Sequence, residues 1–247
     1  MKVSKESARK STTAQVKKDL AALADPERAA NLAWFFKTGK GGYGEGDRFL
    51  GITVPLQRKI ASRYRSLPVS GVAALLGSRF HEHRFVALAI LAAQFQRASL
   101  AEREQIVAFY LSRTRWINNW DLVDTSAPHI LGEYLKTHSR ELLDQLAHSP
   151  SLWERRIAII STLALIRDGE MEDAFRIARV LLSDQHDLIH KAIGWVLRET
   201  GKLSRPALLQ FLEQHYNEMP RTALRYAIEH LPPKARKQAL SGVFAAD

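Results

Sequence analysis

Two residues one helical turn apart, Trp120 and Asp124, form the pair whose types and spacing best suit chemistry. Residues four apart share one face of a helix, so the segment around them would place a carboxylate beside an indole. An apolar neighbour leaves a carboxylate poorly solvated and therefore reactive. The structural alternative stays open, because tryptophans at helical spacing usually belong to a core. The spacing makes Asp124 a candidate catalytic carboxylate.

A cation and an indole recur one turn apart at Lys191 and Trp195, within IHKAIGWVLRE. Trp153 and Arg156 are three apart in SLWERRIAII and are also neighbours on a helix. Arginine binds phosphate through a planar fork, and indole faces attract positive charge. Together these residues fit a polyanion that has a cationic reaction centre.

Metal binding is not indicated by the histidines. His186 and His190 are spaced i,i+4, and the stretch 81–83 reads His-Glu-His, but neither matches HExxH and no third ligand is evident nearby. The chain contains no cysteine, which excludes disulfides and thiolate metal sites. We expect neither a metal nor another cofactor.

Helices must position these residues. Apolar residues recur at i, i+3, i+4 and i+7, while strand signals are nearly absent. Asp25-Pro26 and Thr53-Val54-Pro55 mark helix starts. Ser151 and Glu154 have the spacing of a capping box, in which each side chain satisfies a backbone amide at a helix start.

The helices also repeat along the chain. Apolar, cation-headed helices begin near Arg84, Arg156, Lys191 and Arg221, and the Trp120 segment falls midway between the first two, which gives spacings of 36, 36, 35 and 30 residues. Such spacing is typical of paired helices that stack into a solenoid. We predict an all-α helical-repeat superhelix, an α-solenoid, over residues 25–240, with a concave groove that receives the cations at the helix starts. A basic tail and first helix in residues 1–24 precede it.

The charge balance favours a polyanionic partner. The 247 residues include 36 Lys+Arg against 26 Asp+Glu, a formal net charge of +10 with a pI near 9.9. Each phosphate that a cation neutralises releases condensed counterions, which favours binding. Part of the excess lies in the tail, but the remainder is spread through the body. Nucleic acid is therefore the expected partner.

No membrane partner is expected from the sequence. The longest apolar run, Val86–Ala93, is too short to span a bilayer, and the N-terminus has no apolar region typical of a secretory signal. We expect a monomer in the cytoplasm that associates with the nucleoid through DNA.

A glycine-dense segment, Gly39–Asp47, interrupts the helical pattern. No Gly-Lys-Ser/Thr follows the glycines and no strand precedes them, so a nucleotide-binding P-loop is not indicated. Two interpretations remain: a long connection whose backbone folds closely against a neighbour, or a loop that contacts DNA.

The motifs WDLVD, WERR and KAIGWVLRE, together with DRFLGITVP near residue 50, resemble the AlkD family of DNA alkylation-repair glycosylases. The resemblance covers roughly residues 25–230 and implies a HEAT-like superhelix that releases N3- and N7-alkylated purines. By motif position it implies that Asp124 is the catalytic carboxylate and that Trp120 and Trp195 are active-site aromatics. It also implies that Arg156 is a cation that contacts the DNA backbone. Lys191 opens the third motif and is an expected DNA contact.

The expected function is therefore N-glycosylase action on duplex DNA that carries alkylated bases. Two alternatives stay open: a catalytically silent DNA-binding paralogue, and a helical-repeat scaffold for protein partners. Asp124 separates the first alternative from the enzyme, because a binder needs no carboxylate among its phosphate contacts. Cations at the heads of successive repeats separate DNA from a protein ligand.

Overall fold

The computed structural model describes residues 12–244. Within that range the regular structure is helical, apart from an isolated β-bridge between Arg48 and Phe80. The all-α fold class predicted from the helical periodicity is confirmed. Most of the basic tail lies in residues 1–11, outside the described residues.

The helices follow in chain order: α1 Thr13–Ala21, α2 Pro26–Phe35, α3 Val54–Arg63, α4 Val69–Leu76, α5 His81–Phe95, α6 Leu100–Leu111, α7 Trp120–Ser126, α8 Glu133–Leu135, α9 Glu141–Ala147, α10 Leu152–Arg167, α11 Glu172–Leu181, α12 Asp187–Leu203, α13 Arg205–His215, α14 Arg221–Ala227 and α15 Pro233–Leu240. A 3₁₀ turn at Thr114–Trp116 precedes α7, and a π-helical turn at Pro128–Gly132 follows it. The chain packs as two compact units, one ending at Ser99 and the other beginning at Leu100.

In the first unit α5 is the central helix, packed against α1, α3 and α4 and buried over most of its length. Two charged side chains at its start are buried and bind the loop that precedes α3. The Glu82 carboxylate accepts the backbone N–H groups of Leu50, Gly51 and Ile52 at 2.8–3.3 Å. Arg84 donates to Asp47 at 2.5 Å. Buried charges are tolerated when they are paired in this way, so part of the DRFLGITVP motif fastens its own loop to α5.

In the second unit, α7, α10, α12 and α14 form one layer, because each packs against the next in that order. The helices α9, α11 and α13 form a second layer, each packed against its neighbours in the first. The helices that begin near Arg156, Lys191 and Arg221 thus lie side by side, together with the helix that carries Trp120 and Asp124.

Close packing of this layer depends on a glycine in α12. A Cβ built on Gly194 would lie 2.4 Å from the Cβ of Tyr226 and 2.5 Å from the carbonyl oxygen of Ala223. Both neighbours belong to α14, so the two helices can approach this closely only where the side chain is hydrogen. The glycine of the KAIGWVLRE motif therefore sets the spacing of the two helices.

Two predicted helix starts are confirmed and one capping box is wrong. The Asp25 side chain accepts the N–H of Arg28 at 3.0 Å, and Thr53 directly precedes α3. Ser151 directly precedes α10, but its hydroxyl makes no capping bond. The Ser151 N–H donates to the Ser149 hydroxyl rather than to Glu154, and the Glu154 carboxylate accepts the hydroxyls of Ser149 and Thr114.

Candidate active site

Helix α7 carries Trp120 and Asp124 on one face. Asn119 caps the helix by accepting the N–H of Trp120 at 2.8 Å. Leu122 and Val123 are buried and anchor the opposite side, whereas Trp120 and Asp124 are only partly buried. The helix that places Trp120 and Asp124 one turn apart is therefore present in the fold.

Both oxygens of Asp124 accept hydrogen bonds from Arg156 on α10. The Arg156 Nε to Asp124 Oδ1 distance is 2.9 Å, and Nη2 to Oδ2 is 2.8 Å. The side chains are 6% and 16% exposed, so this bidentate pair lies largely out of water. Planar fork-to-carboxylate geometry of this kind fixes orientation as well as charge.

The electrostatics of Asp124 are set by two opposing effects. Burial raises the pKa of the Asp124 carboxyl above its ordinary value of 3.8, and the negative charge of Asp121 adds to that rise. The Arg156 guanidinium opposes both through its charge and its hydrogen bonds. The result is a poorly solvated carboxylate whose anionic form depends on one counter-ion.

Arg156 also joins the pair to α12, since its Nη1 donates to the carbonyl of Leu188 in the first turn of that helix. Leu188, Lys191 and Trp195 follow at i, i+3 and i+7, so they share one face of α12. Lys191 forms an ion pair of 2.8 Å with Asp187 and keeps 41% of its side chain exposed, and Trp195 is partly buried. The guanidinium thus connects the carboxylate on α7 with the helix that bears the second indole.

The structure assigns Arg156 hydrogen bonds that the sequence did not indicate. The resemblance implies a contact with the DNA backbone, whereas the guanidinium is buried and binds Asp124 and Leu188. Its phosphate contact stays a prediction. The Asp124–Arg156 pair itself was missed, because the two residues are 32 positions apart and nothing local marks them as partners.

Sequence reasoning also missed the actual partners of Glu154. Its carboxylate accepts the hydroxyl of Thr114 at 2.6 Å and that of Ser149 at 2.5 Å. Thr114 opens the 3₁₀ turn that carries Trp116 and leads into α7. Glu154 therefore fastens the segment before α7 to the start of α10, beside the Asp124–Arg156 pair.

Two negative findings concern residues 12–244 alone. In that part of the chain there is no group of three or more His, Cys, Asp or Glu side chains that could hold a metal ion. No helix found there is long and apolar enough to cross a membrane.

The fold and this site define an all-α helical-repeat protein with a buried carboxylate–guanidinium pair between neighbouring helices. Residues 16–231 match the family model described as DNA alkylation repair enzyme, and the chain belongs to that family. A predicted DNA alkylation repair enzyme from Enterococcus faecalis has a similar structure, with a TM-score of 0.66 at 20% identity over 85% of this chain and 97% of that one. The crystal structure of smu.31 from Streptococcus mutans UA159 aligns with a TM-score of 0.52 at 17% identity, over 89% and 98% of the two chains. No curated protein sequence gives a significant match.

Proposed function

We propose that the protein is a DNA glycosylase that hydrolyses the N-glycosidic bond of N3- and N7-alkylated purines in duplex DNA. The observation that carries this proposal is the largely buried carboxyl group of Asp124, which is bound through both oxygens by Arg156 and lies one turn after Trp120. A desolvated carboxylate suits a DNA-binding site in which the DNA presents positive charge. Alkylated DNA, after which this repair family is named, carries that charge, because an N3- or N7-alkylated purine is a cation.

The proposed chemistry needs one carboxylate and water. The alkylated purine leaves with the electron pair of the N-glycosidic bond and becomes neutral, so it needs no prior protonation. The deoxyribose becomes oxocarbenium-like, and the Asp124 carboxylate stabilises that positive charge. Water then adds to the anomeric carbon and loses a proton, for which Asp124 is the acceptor. A carboxylate has about four lone-pair sites, so the two bonds from Arg156 leave capacity for water.

DNA would lie along the layer formed by α7, α10, α12 and α14. Trp120, Arg156 and Lys191 all belong to the first two turns of their helices, and Arg221 opens α14. Helix N-termini carry partial positive charge and exposed N–H groups that suit phosphates. Trp120 and Trp195 would contact the deoxyribose and base of the lesion through their rings.

A catalytically silent DNA binder is the second candidate. Arg156 binds both oxygens of Asp124, and a purely structural ion pair would have the same geometry, which favours this candidate. The two candidates differ in one measurable quantity, the rate of base release.

The test is single-turnover release of 7-methylguanine from duplex DNA by wild type, Asp124→Asn and a matched control, Asp168→Asn. Asn keeps the size of the side chain and loses its charge, so release should fall by a factor of about 10²–10³. Affinity for unmodified duplex should hold or rise slightly, because a negative charge facing phosphates is removed. Asp168 is exposed and pairs with Lys136, so its variant should release base at the wild-type rate. No release by any of the three proteins would contradict the glycosylase and leave the binder, whereas equal release by all three would remove Asp124 from the catalytic step.

A further inference from the structure

We propose a second nucleic-acid contact on the first unit, in which Trp34 stacks on an exposed base face and Lys37 and Lys40 bind the adjoining phosphates. It rests on the proposed function only in taking DNA as the partner. The ligand is a strand with an accessible base face, that is, an unpaired or strand-end nucleotide, because bases within a duplex are covered on both faces by their neighbours.

The exposure of Trp34 is the first observation. Its residue is 83% exposed, whereas the other four tryptophans of the chain are partly buried. Tryptophan carries one of the largest apolar surfaces of any residue, and full exposure forgoes the stabilisation that burial would bring. The other residues of α2 do not provide this stabilisation either, since none of the residues Pro26–Phe35 is buried.

The backbone that carries the indole is nevertheless anchored. Phe36 directly follows α2, is buried, and stacks on Phe49 with ring centroids 5.1 Å apart. The His81 ring lies 5.1 Å from Phe36 and 4.7 Å from Phe49, which anchors this end of α2 to the start of α5. A side chain two residues before such an anchor is presented to solvent on a fixed backbone, and this lowers the entropic cost of binding.

Residues 37–47, which include the glycine-rich segment, contain the two cations. The Thr38 N–H bonds back to the carbonyl of Ala33, and the Tyr43 hydroxyl to that of Phe35, so the segment folds onto the end of α2. A Cβ on Gly42 would lie 1.9 Å from the Lys37 carbonyl oxygen, which shows how tightly the backbone closes. Lys37 itself adopts a φ of 52°, the left-handed conformation that ends α2, in which the Thr38 N–H returns to the Ala33 carbonyl.

The local charge is complementary to phosphate. Across residues 12–244, neither Lys37 nor Lys40 has an ion-pair partner, and Lys37 lies 5.9 Å from the Tyr43 ring. Of the two acids of the segment, Asp47 pairs with Arg84, whereas Glu45 accepts the backbone N–H of Gly41 at 2.8 Å and keeps its charge, so positive charge is still in excess beside Trp34. An exposed indole beside two unpaired lysines is the combination that binds single strands, in which rings stack on bases and cations follow the backbone. A hydrophobic protein partner would use the indole but not the lysines.

The test compares binding of two labelled DNAs: an oligo-dT of about 12 nucleotides, and a relaxed, covalently closed circular duplex, which has neither strand ends nor unpaired loops. Trp34→Ala should weaken oligo-dT binding about five- to hundredfold, the scale of one base–aromatic stack. Trp34→Phe keeps a ring and should retain most of the affinity, whereas Trp34→Leu keeps an apolar side chain and should not. Val69→Ala removes another exposed apolar side chain of the same unit and should change nothing.

The two lysines are tested separately, through the salt dependence of oligo-dT binding. Lys37→Asn, in which asparagine tolerates the positive φ, and Lys40→Gln should each lower the slope of log affinity against log salt for oligo-dT by about 0.7. If Trp34→Ala binds oligo-dT as wild type does, or if Trp34→Leu retains full affinity, the stacking site is wrong.

Closed duplex separates this proposal from the glycosylase. Trp34→Ala should release 7-methylguanine from closed duplex at the wild-type rate, whereas Asp124→Asn should bind oligo-dT normally and fail to release the base. A wild-type protein that binds neither DNA would overturn both proposals. A protein that binds both DNAs but is indifferent to Trp34 overturns only this one.

Discussion

Arg156 binds both carboxylate oxygens of Asp124 and, with its remaining terminal nitrogen, the Leu188 carbonyl of the next helix in the layer. One side chain thereby connects α7, α10 and α12. The same guanidinium holds the charge of the proposed catalytic carboxylate and fixes its distance from the helix that bears Trp195. Catalysis and local stability should therefore depend together on this pair.

The first prediction concerns the energetic coupling of the pair. Arg156→Gln leaves the carboxylate in a poorly solvated place without its counter-ion, which should lower the free energy of unfolding by about 3 kcal/mol. Asp124→Asn should lower the free energy of unfolding by a smaller amount. The double variant should be about 1–3 kcal/mol more stable than the sum of the two losses predicts, because residues in contact are not additive. Urea denaturation of the four proteins measures this cycle, and additive losses would mean that the pair does not persist in solution.

The second prediction concerns the pH dependence of base release. A carboxylic acid loses its charge as pH falls, and burial raises the pKa of Asp124 above 3.8. Enzymatic release should therefore decline through an acid limb whose midpoint lies above 3.8. Arg156→Gln removes the opposing positive charge, so its acid limb should move to higher pH.

This pH profile is measured as single-turnover rate after subtraction of the enzyme-free rate. The residual release by Asp124→Asn is the control, because it has no carboxyl group to titrate and should lack the limb. An identical acid limb in that variant would assign the titration to another group.

The third prediction concerns the contact between α12 and α14. Gly194→Ala places a methyl group 2.4 Å from the Cβ of Tyr226, so the two helices must separate or distort. Overpacking of this kind costs about 1–3 kcal/mol, which exceeds the helical preference of alanine over glycine in a confined site. The melting temperature should fall. Gly39→Ala meets no atom within 4 Å and should change stability by less than about 0.5 kcal/mol. An unchanged melting temperature for Gly194→Ala would contradict the close approach of α12 and α14.

Sequence alone predicted the all-α class, the helix starts at Asp25 and Thr53, and a helix that places Asp124 one turn after Trp120. These features depend on local physics: on the 3.6-residue period of apolar side chains, on the fixed φ of proline, and on capping by short polar side chains. Such effects act within a few residues along the chain. The motif resemblance added the family, which the match over residues 16–231 confirms.

Only the tertiary structure decided which polar and charged side chains bind one another. Ser151 and Glu154 have capping-box spacing, yet Glu154 accepts the hydroxyl of Thr114, 40 residues away in sequence. Likewise Arg156, an expected phosphate contact, bonds to a carboxylate 32 residues earlier. A long, flexible polar side chain can form its hydrogen bonds with solvent, with a ligand or with protein. Which partner it binds depends on which polar groups the packed helices bury together. Desolvation depends on neighbours distant in the chain, and no local spacing encodes it.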